Sequence, residues 1–452
     1  MTVETEYRSF GLPRRKAAHV LPVSAATALL KSGEARPASL LPFGNGRSYG
    51  DSCLNSKGVL ADMRALNRII DFNPMDGTVT AQAGVLLSDL ITHVGPHGYF
   101  LPVVPGTRFV TLGGAIANDV HGKNHHRRGT FGCHVEALML LKSDGSTYEC
   151  GPDVNRQLFR ATVGGMGLTG MILSATIRLM KVGSVDVEER VTPFSSLDEY
   201  FDLAEAADTD NEYAVAWIDQ LATGSRAGRG LLLTANHSED GRPFVPASKA
   251  RLSVPFRSPF SLLNGLSISL FNAVYHWAKG RSGDVRRSSY GSYFFPLDGV
   301  RNWNRLYGPD GLLQHQSVVP EEAARKAVPA LLEATREAGH ASFLTVLKRF
   351  GSIESPGVLS FPRPGYTLTL DFPNDGERTR TLLERLDRIT VEAGGAVNPY
   401  KDARMGPDVF AASFPGWRKL EEMRDPAFMS DFWRRTAVRL LEDQEAHRHA
   451  AQ

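Results

Sequence analysis

The sequence predicts an α+β protein of two domains, from its length, its strand and helix patterns and one change of composition. At 452 residues the chain exceeds what one hydrophobic core usually organises. Within Gly58–Leu179, strand patterns and turns are mixed with one helix, without the regular strand–helix alternation of a parallel sheet. Charged strands such as Val185–Val191 begin after Val182, which marks a boundary. The expected segments are a first domain, a second domain and a return to the first: 1–183, 184–394 and 395–452.

The elements of the first domain are predicted from short patterns bounded by glycine. Val59–Met63 and Gly77–Gly84 have the composition and length of strands. Val85–His97 places its apolar residues at helical spacing on one face. Val135–Lys142 is an apolar run followed by Ser-Asp-Gly-Ser, which predicts a strand that enters a hairpin turn.

One segment of this domain matches the dinucleotide fingerprint by pattern. In Gly165–Gly170 the glycines have the GxGxxG spacing, but a Rossmann turn must lead into a helix. The following residues, Met171–Leu179, are rich in β-branched side chains and predict a strand. We therefore expect a glycine turn that passes close to a bound ligand, without a Rossmann fold.

The second domain is predicted as a sheet covered by helices. Ser195 or Ser196 caps a helix that runs to Ala207, and a longer helix follows over Pro320–Ala338. The expected strands are Tyr213–Asp219, Gly230–Thr234, Gln314–Val319 and Tyr366–Phe372. After the chain returns to the first domain, a last helix is expected over Phe432–Leu441.

Bulk composition argues against several classes of protein. The formal net charge of +2 gives no reason to expect a nucleic-acid partner. The three cysteines, Cys53, Cys133 and Cys150, lack metal-ligand spacing and are odd in number, which favours a reducing compartment. We find no signal-peptide pattern and no uncharged apolar run that could span a bilayer. The expected location is the cytoplasm or the periphery of the inner membrane.

Two glycine-rich turns predict a large phosphorylated ligand. Pro42–Asp51 has three glycines within seven residues, and Val104–Thr107 is followed by a second small-residue step, Gly113–Ala115. Glycine allows backbone N–H groups to approach a phosphate, and two turns about sixty residues apart suit a two-ended ligand such as a dinucleotide. Neither turn has the Lys-Ser or Lys-Thr pair of a P-loop.

These turns resemble the flavin-binding segments of the vanillyl-alcohol-oxidase type of FAD oxidoreductase. Further segments, in the same order, resemble the decaprenylphosphoryl-β-D-ribose 2′-oxidase family: His121–His126, Val215–Trp217, Gln314–Gln316, Asp371–Pro373 and Tyr400–Asp402. The resemblance covers nearly the whole chain and is weakest over 240–290. It implies a PCMH-type FAD-binding fold with a separate sheet-plus-helix substrate domain, and FAD as the cofactor.

The resemblance also implies which residues bind the cofactor. The set comes from both turns, from Asn55 and from one strand residue: Gly44, Asn45, Gly46, Arg47, Ser48, Tyr49, Asn55, Pro105, Gly106, Thr107, Thr111, Gly113, Gly114, Ala115, Asn118, His121, Gly122 and Ile172. Many related enzymes attach FAD covalently through a histidine in the first turn. This chain has Arg47 there, which implies non-covalent FAD.

The implied catalytic residues are Lys401, Tyr49 and His121. Oxidation of a secondary alcohol by a flavin needs a base for the hydroxyl proton, aligned with hydride loss from the same carbon. A partly desolvated lysine has a lowered pKa, so Lys401 is a candidate base. A charged Lys401 would instead hold an alkoxide or a phosphate, and both roles stay open. Without the resemblance, Lys401 would be a surface lysine and Tyr49 a filler beneath a turn.

The implied substrate pocket consists of residues that alone would be unremarkable: Lys123, Trp217, Gln314, Gln316, Lys348 and Thr369. His121 and His125 have HxxxH spacing, but Gly122 and Asn124 disfavour a helix between them, so no metal site is expected. Thr369 stands where mycobacterial members of the family have a cysteine that nitro-aromatic inhibitors trap. We expect no such covalent adduct here.

Residues 240–290 have two open interpretations. Pro, Ser, Arg and Lys are mixed there with an apolar run, Leu262–Trp277. One interpretation is a core helix flanked by ordinary loops. The other is a mobile lid whose apolar face and basic flanks contact a membrane surface, which would suit a polyprenyl substrate.

Three functions stay open. The resemblance implies oxidation of the 2′-hydroxyl of polyprenylphosphoryl-β-D-ribose, after which a separate short-chain NAD(P)H-dependent reductase completes epimerisation to arabinose. The second is a soluble FAD-dependent sugar, alditol or aldonolactone oxidase that uses oxygen and needs no lipid-binding lid. The third is a flavin-binding structural subunit without turnover, which the presence of Tyr49, His121, Lys123 and Lys401 disfavours.

Overall fold

The computed structural model describes residues 7–11, 19–32, 39–248, 250, 252–280 and 284–450. The strands are, in chain order, β1 His19–Pro22, β2 Leu40–Phe43, β3 Val59–Asp62, β4 Ile69–Asn73, β5 Thr78–Gln82, β6 Tyr99–Phe100, β7 Val135–Leu141, β8 Thr147–Cys150, β9 Met171–Arg178, β10 Met180–Lys181, β11 Val187–Phe194, β12 Tyr213–Ile218, β13 Gly230–His237, β14 Leu252–Ser253, β15 Arg286–Ser288, β16 Val300–Arg301, β17 Leu312–Val319, β18 Val346–Phe350, β19 Gly365–Pro373 and β20 Ala396–Val397.

The α-helices are α1 Val23–Ser32, α2 Leu87–Val94, α3 Leu112–Ala117, α4 His125–Arg128, α5 Arg156–Thr162, α6 Leu197–Asp210, α7 Gly265–Gly280, α8 Tyr290–Phe294, α9 Glu321–Glu337, α10 Glu377–Glu392, α11 Pro407–Ser413, α12 Trp417–Met423, α13 Asp431–Trp433 and α14 Arg439–Ala450. A π-helical turn, Arg434–Val438, joins α13 to α14. The α+β prediction is therefore confirmed.

The first part of the chain has a two-stranded sheet of β6 and β10 and two main sheets. The larger has five antiparallel strands in the order β4-β5-β9-β7-β8, and the smaller has three parallel strands in the order β1-β3-β2. Strands β3, β5 and β7 and helix α2 confirm the elements predicted there. The strand predicted after the GxGxxG pattern is also confirmed, since β9 pairs with both β5 and β7 in the sheet.

An eight-stranded sheet forms the second part, in the order β15-β11-β13-β12-β18-β19-β17-β20. Helix α6 is capped by Ser196, one of the two predicted caps, whose side chain accepts from the Glu199 N–H. Helix α9 buries one face at helical spacing, including Val328, Leu331 and Leu332, against this sheet. Because β20 still pairs with β17, the chain leaves this sheet later than the boundary expected at 395.

The C-terminal helices pack back onto the first part of the chain. Phe432 and Trp433 are fully buried, in one hydrophobic cluster with Leu41 and Phe43 of β2. Burial of side chains of this size stabilises a fold by about 1.5–3 kcal/mol each. This packing brings the chain that follows β20 next to the first glycine turn.

The core-helix interpretation of residues 240–290 is wrong. Helix α7 buries only Ile268 and Asn272 among its sixteen residues. Large apolar side chains of this helix are exposed instead: Leu266, Leu270, Phe271, Val274 and Trp277. Across the described segments, we found no helix with the length and apolar character needed to cross a membrane.

Candidate active site

A cavity of about 700 Å³ lies between the two glycine turns and the eight-stranded sheet. Its lining contains most of the predicted cofactor residues: Gly44, Asn45, Gly46, Arg47, Ser48, Tyr49, Pro105, Gly106, Thr107, Thr111, Gly113, Gly114, Asn118, His121, Gly122 and Ile172. The lining also contains every predicted substrate residue and the third catalytic candidate: Lys123, Trp217, Gln314, Gln316, Lys348, Thr369 and Lys401.

Two predicted cofactor residues lie outside this lining. Asn55 is fully buried, and its side-chain amide donates to the Ser39 carbonyl at 2.9 Å, which braces the loop before β3. Ala115 is fully buried on the core side of α3. Both residues support the turns from behind and do not face the cavity.

The first turn requires glycine at two of its positions. A Cβ on Gly44 would lie 2.5 Å from Thr111 Oγ1, so the two turns pack against each other without space for a side chain. Gly46 has φ +59°, and a Cβ there would lie 2.4 Å from the Arg8 carbonyl oxygen. The Asn45 side chain donates to the Phe109 carbonyl at 2.7 Å, which joins the turns directly.

The second turn is held by a carboxylate from the other part of the chain. Asp298 accepts from Thr107 Oγ1 at 2.7 Å and from the Arg108 N–H at 3.0 Å. Thr111 begins α3, and its hydroxyl accepts from the Gly114 N–H at 3.1 Å. No local sequence pattern pairs Asp298 with a turn almost two hundred residues away, so its role was not predicted.

Arg47 gives the turn end of the cavity a positive charge suited to a phosphate. Its guanidinium lies over the rings of Phe10 and Phe109, at 5.6 and 5.5 Å from their centres. Among the described residues, its buried Nε has no hydrogen-bond partner, and burial lowers its pKa. An orphaned guanidinium N–H beside two glycine turns fits the pyrophosphate of a dinucleotide cofactor.

The cavity also contains a basic cluster around Lys348. Lys348 Nζ donates to the Gly122 carbonyl at 2.8 Å and lies 2.8 Å from His121 Nδ1. Burial, followed by the charges of Lys401 and Lys123, holds the pKa of Lys348 well below its ordinary value. Burial, followed by the charges of Lys348 and Lys401, also lowers the pKa of His121 well below its ordinary value. The His121 side chain is therefore neutral.

Lys401 and Tyr49 face each other in the same region. Burial lowers the pKa of Lys401 to about 8, and the charge of Asp371 opposes that shift. Burial and then Asp371 raise the pKa of the Tyr49 phenol well above its ordinary value, so this phenol is neutral. A lysine that titrates near neutrality beside a neutral phenol can exchange a proton with a bound hydroxyl group.

Asp371 is a functional candidate to which sequence analysis assigned no role. It is fully buried, accepts a hydrogen bond from Gln314 Nε2, and has no partner for Oδ2 among the described residues. Burial raises its pKa to about 7, against the effects of Gln314 and then Lys401. The detectable signal was a lone carboxylate within the apolar strand pattern of β19.

Lys123 and several aromatic and charged residues of the second part also line the cavity. Lys123 Nζ donates to the Tyr293 carbonyl and lies 4.0 Å from the centre of that ring, and burial lowers the pKa of Lys123 to about 8. Trp217 packs edge-on against Tyr275 at 5.1 Å between ring centres. Glu189 accepts from Ser288 Oγ at 2.6 Å, in a position that no sequence pattern had indicated.

His121 and His125 are not placed on a common helix. His121 forms an isolated β-bridge with Thr130, and His125 begins the short helix α4. Burial, followed by the charges of Lys348 and His126, lowers the pKa of His125 to about 3. Within the described segments, no three His, Cys, Asp or Glu side chains are grouped to hold a metal ion.

Comparison with known proteins adds independent evidence. A family model of the FAD binding domain matches residues 20–151. Decaprenylphosphoryl-beta-D-ribose oxidase of Mycolicibacterium smegmatis is 35% identical over 90% of this chain and 91% of its own length. An uncharacterized protein in the mprA 5' region of Streptomyces coelicolor is 33% identical over 78% of this chain. L-gulonolactone oxidase of Mus musculus is 32% identical over 30% of this chain.

The matches cover the parts of the chain that line the cavity. The FAD-binding match contains both glycine turns and Arg47, where the structure leaves a charged N–H orphaned. The mycolicibacterial relative covers both parts of the fold, whereas the L-gulonolactone oxidase covers less than a third of the chain. The chain is thus an FAD-dependent oxidoreductase with the PCMH-type FAD-binding fold, and it belongs to the decaprenylphosphoryl-beta-D-ribose oxidase family.

Proposed function

We propose that this chain oxidises the 2′-hydroxyl of a polyprenylphosphoryl-β-D-ribose to the 2′-keto compound. The observation that carries the proposal is the pair Lys348 and Lys401 beside neutral His121, in the cavity that Lys123 also lines. A hydroxyl next to a phosphorylated sugar carbon needs both proton acceptance and cationic charge. The name of the mycolicibacterial relative supplies the substrate class.

FAD bound between the turns supplies the hydride acceptor. We assign Arg47 and the backbone of both turns to the cofactor, held without a covalent bond. Acid precipitation of the protein should therefore release the flavin into the supernatant, and flavin retained in the pellet would contradict this assignment. We also assign the five-stranded and eight-stranded sheets to a cofactor domain and a substrate domain.

Lys401 is the residue we assign to the hydroxyl proton. With a pKa of about 8, part of its population is neutral near neutral pH and accepts a proton. Tyr49 stays protonated and offers its O–H as a donor to the same oxygen. Lys123 and Lys348 are our candidates for contacts with the substrate phosphate, whose negative charge would favour their protonated forms against the effect of burial. Gln314, Gln316, Trp217 and Thr369 shape the sugar pocket.

The test is an anaerobic mix of the purified protein with a short-chain polyprenylphosphoryl-ribose, followed by flavin absorbance. We expect bleaching, and a product lighter by two hydrogen atoms in the mass spectrum. The matched controls are the arabinose epimer and L-gulono-1,4-lactone, which should bleach the flavin much more slowly. Bleaching by the lactone alone would favour a lactone oxidase, and no bleaching by any sugar would favour a structural subunit.

The keto product requires a second enzyme if the centre is to be inverted. Reduction from the opposite face needs a hydride donor that the FAD site does not provide, and a short-chain NAD(P)H-dependent reductase has that chemistry. We propose such a reductase as the functional partner. A coupled assay with a reductase of this class should convert the ribose substrate to arabinose, whereas return of ribose alone would argue against the partnership.

We also propose that α7 contacts an anionic membrane surface. Leu266, Leu270, Val274 and Trp277 follow helical spacing and are 87%, 69%, 55% and 61% exposed. From 241 to 283 the sequence has no Asp or Glu, but it has six basic residues: Arg242, Lys249, Arg251, Arg257, Lys279 and Arg281. Phe271, Tyr275 and Lys279 of the same helix line the cavity, so a lipid-linked sugar could pass from the surface to the site.

Sedimentation with vesicles tests this surface. The wild-type chain should bind vesicles of phosphatidylglycerol more strongly than vesicles of phosphatidylcholine, and L270E/W277E should lose that binding. The control is M75E, because Met75 is 90% exposed on a different turn. Equal binding by both variants, or no binding by the wild type, would contradict a membrane role for α7.

A further inference from the structure

We propose that Arg435 is a positioning residue that holds Lys401 and Tyr49 opposite each other. It does so by binding two carboxylates, one beside each of these residues in the chain. The inference rests on the function proposed above, since it assumes that Lys401 and Tyr49 act on the same hydroxyl group. No pattern in the sequence around Arg435 had indicated a role in the site.

The guanidinium of Arg435 bridges two separate loops. Its Nη2 lies 2.7 Å from Asp402 Oδ2 and 3.0 Å from Asp51 Oδ1, and its Nε lies 3.0 Å from Asp51 Oδ2. Asp402 directly follows Lys401, and Asp51 lies two residues after Tyr49. Both carboxylates are buried, Asp51 completely and Asp402 to 3% exposure. One cation therefore fixes the spacing of both loops.

The two loops also touch through their backbones. A Cβ on Gly50 would lie 1.5 Å from the Asp402 carbonyl oxygen, so no side chain fits between them. Asp402 Oδ2 additionally accepts from the N–H groups of Arg404 and Met405, at 2.8 and 2.6 Å. The loop that follows Lys401 is thus folded around the carboxylate that Arg435 binds.

Electrostatics make this contact hard to replace. Asp51 and Asp402 would repel each other in a buried setting without the cation between them. Their charges hold the pKa of Arg435 above its ordinary value, against the effect of burial. Arg404 is the other cation at Asp402, but its guanidinium is bound mainly to Asp387. Arg435 alone among these described groups joins both loops.

Arg435 reaches the loops from the π-helical turn between α13 and α14. A π-turn adds a residue to the helical repeat and redirects the side chains that follow, and such turns often occur at functional sites. The preceding residue, Arg434, points to different partners, with Asp431 at 3.2 Å and Ser39 at 2.8 Å. Arg434 therefore offers a matched control in the same turn.

The test compares R435M, R435K and R434M in flavin content, kcat, KM and the pH profile of flavin reduction. Misplacement of a reacting group by about 1 Å costs roughly 100-fold in rate, so R435M should keep FAD and a near-normal KM but lose about that factor in kcat. R435K should recover part of the loss, and R434M should behave as wild type. A wild-type rate in R435M, or the same loss in R434M, would overturn the proposal.

A readout without substrate separates this inference from the proposed function. The groups that face Lys401 are Asp371 of β19, Lys348 of β18, His121 and Tyr49, and displacement of the loop changes all of these contacts. A pH titration of the flavin absorbance should therefore show a shifted transition in R435M. If R435M does not fold, D402N provides the same comparison. An unshifted transition would overturn the positioning role of Arg435. Absence of bleaching in the wild type would overturn only the proposed reaction.

Discussion

The Nζ atom of Lys401 lies 5.0 Å from the centre of the Tyr49 ring. The two residues come from opposite ends of the chain and meet because the C-terminal segment packs onto the first glycine turn. A ring face favours the charged ammonium, as does Asp371, while burial opposes the charge. The balance leaves Lys401 with a pKa of about 8, close to neutrality.

Replacement of Lys401 by methionine should abolish flavin reduction while the protein keeps its FAD. Methionine preserves the length and apolar part of the side chain but has no proton acceptor, and we expect a loss of about 100-fold to 10,000-fold, the usual contribution of a general base. Stopped-flow absorbance under anaerobic conditions measures the rate. Loss of the flavin itself would instead place Lys401 in cofactor binding.

The pH profile distinguishes a base from an electrostatic clamp at Lys401. A base acts in its neutral form, so the wild-type reduction rate should rise as pH increases through about 8. A clamp acts in its charged form, and the rate would then fall over the same range. K401R keeps a charge at all accessible pH values, so under the base role it should be inactive throughout.

Replacement of Asp371 by asparagine should change both stability and the pH profile. The Asp371 pKa is raised to about 7, so its contribution to stability is present below the unfolded-state pKa and is lost as pH rises through 7. D371N cannot ionise, so it does not lose stability over this pH range, and its amide oxygen can still accept the hydrogen bond from Gln314. We expect its melting temperature at pH 8 to exceed that of the wild type by about 2 °C or more.

The same variant should lower the pKa of Lys401, because the Asp371 charge raises it. The rise of the reduction rate with pH should therefore begin at lower pH in D371N. N374D is a control, since Asn374 lies on the same segment and bonds the Asp310 carbonyl away from the cavity. An unchanged profile in D371N would mean that the Asp371 charge does not act on Lys401.

The fold and most of the cavity lining could be predicted from the sequence. Residues with a local signal were recognisable, and residues that act through distant contacts were not. Glycines in the turns and strand periodicity are local signals, so Gly44, Gly46 and strand β9 were recognisable. The supports of the site are not local. Asp298 and Arg435 act on turns far away in the chain, and a charge at such a position has the composition of an ordinary surface residue.

The exposed face of α7 could not be predicted from local sequence. Its apolar spacing is the pattern of a buried helix, and only the tertiary structure shows that Ile268 is covered while Leu266 is not. The family resemblance implied that Asn55 and Ala115 contact the cofactor. Both residues are buried outside the cavity lining, a placement that depends on tertiary packing.

Replacement of Gly50 by alanine should destabilise the protein and reduce its FAD content. The new Cβ would lie 1.5 Å from the Asp402 carbonyl oxygen, which is backbone and cannot move without shifting the Lys401 loop. Overpacking of this kind costs about 1–3 kcal/mol. Thermal unfolding and flavin absorbance measure both effects. G299A is the control because a Cβ at Gly299 has no atom within 4 Å, and a loss as large in G299A would contradict the steric argument.

Introduction of a cysteine at Thr369 should make the enzyme sensitive to covalent nitro-aromatic inhibitors. Thr369 lines the cavity on β19, opposite Gln316 and Val346 in the neighbouring strands, and its hydroxyl is a poor nucleophile at neutral pH. Cys53 also lines the cavity, but burial raises its pKa to about 12, so it remains an unreactive thiol. Mass spectrometry after turnover with the inhibitor should therefore show an adduct in T369C and none in the wild type. An adduct in the wild type would identify a reactive thiol in the cavity and refute the protective role of Thr369.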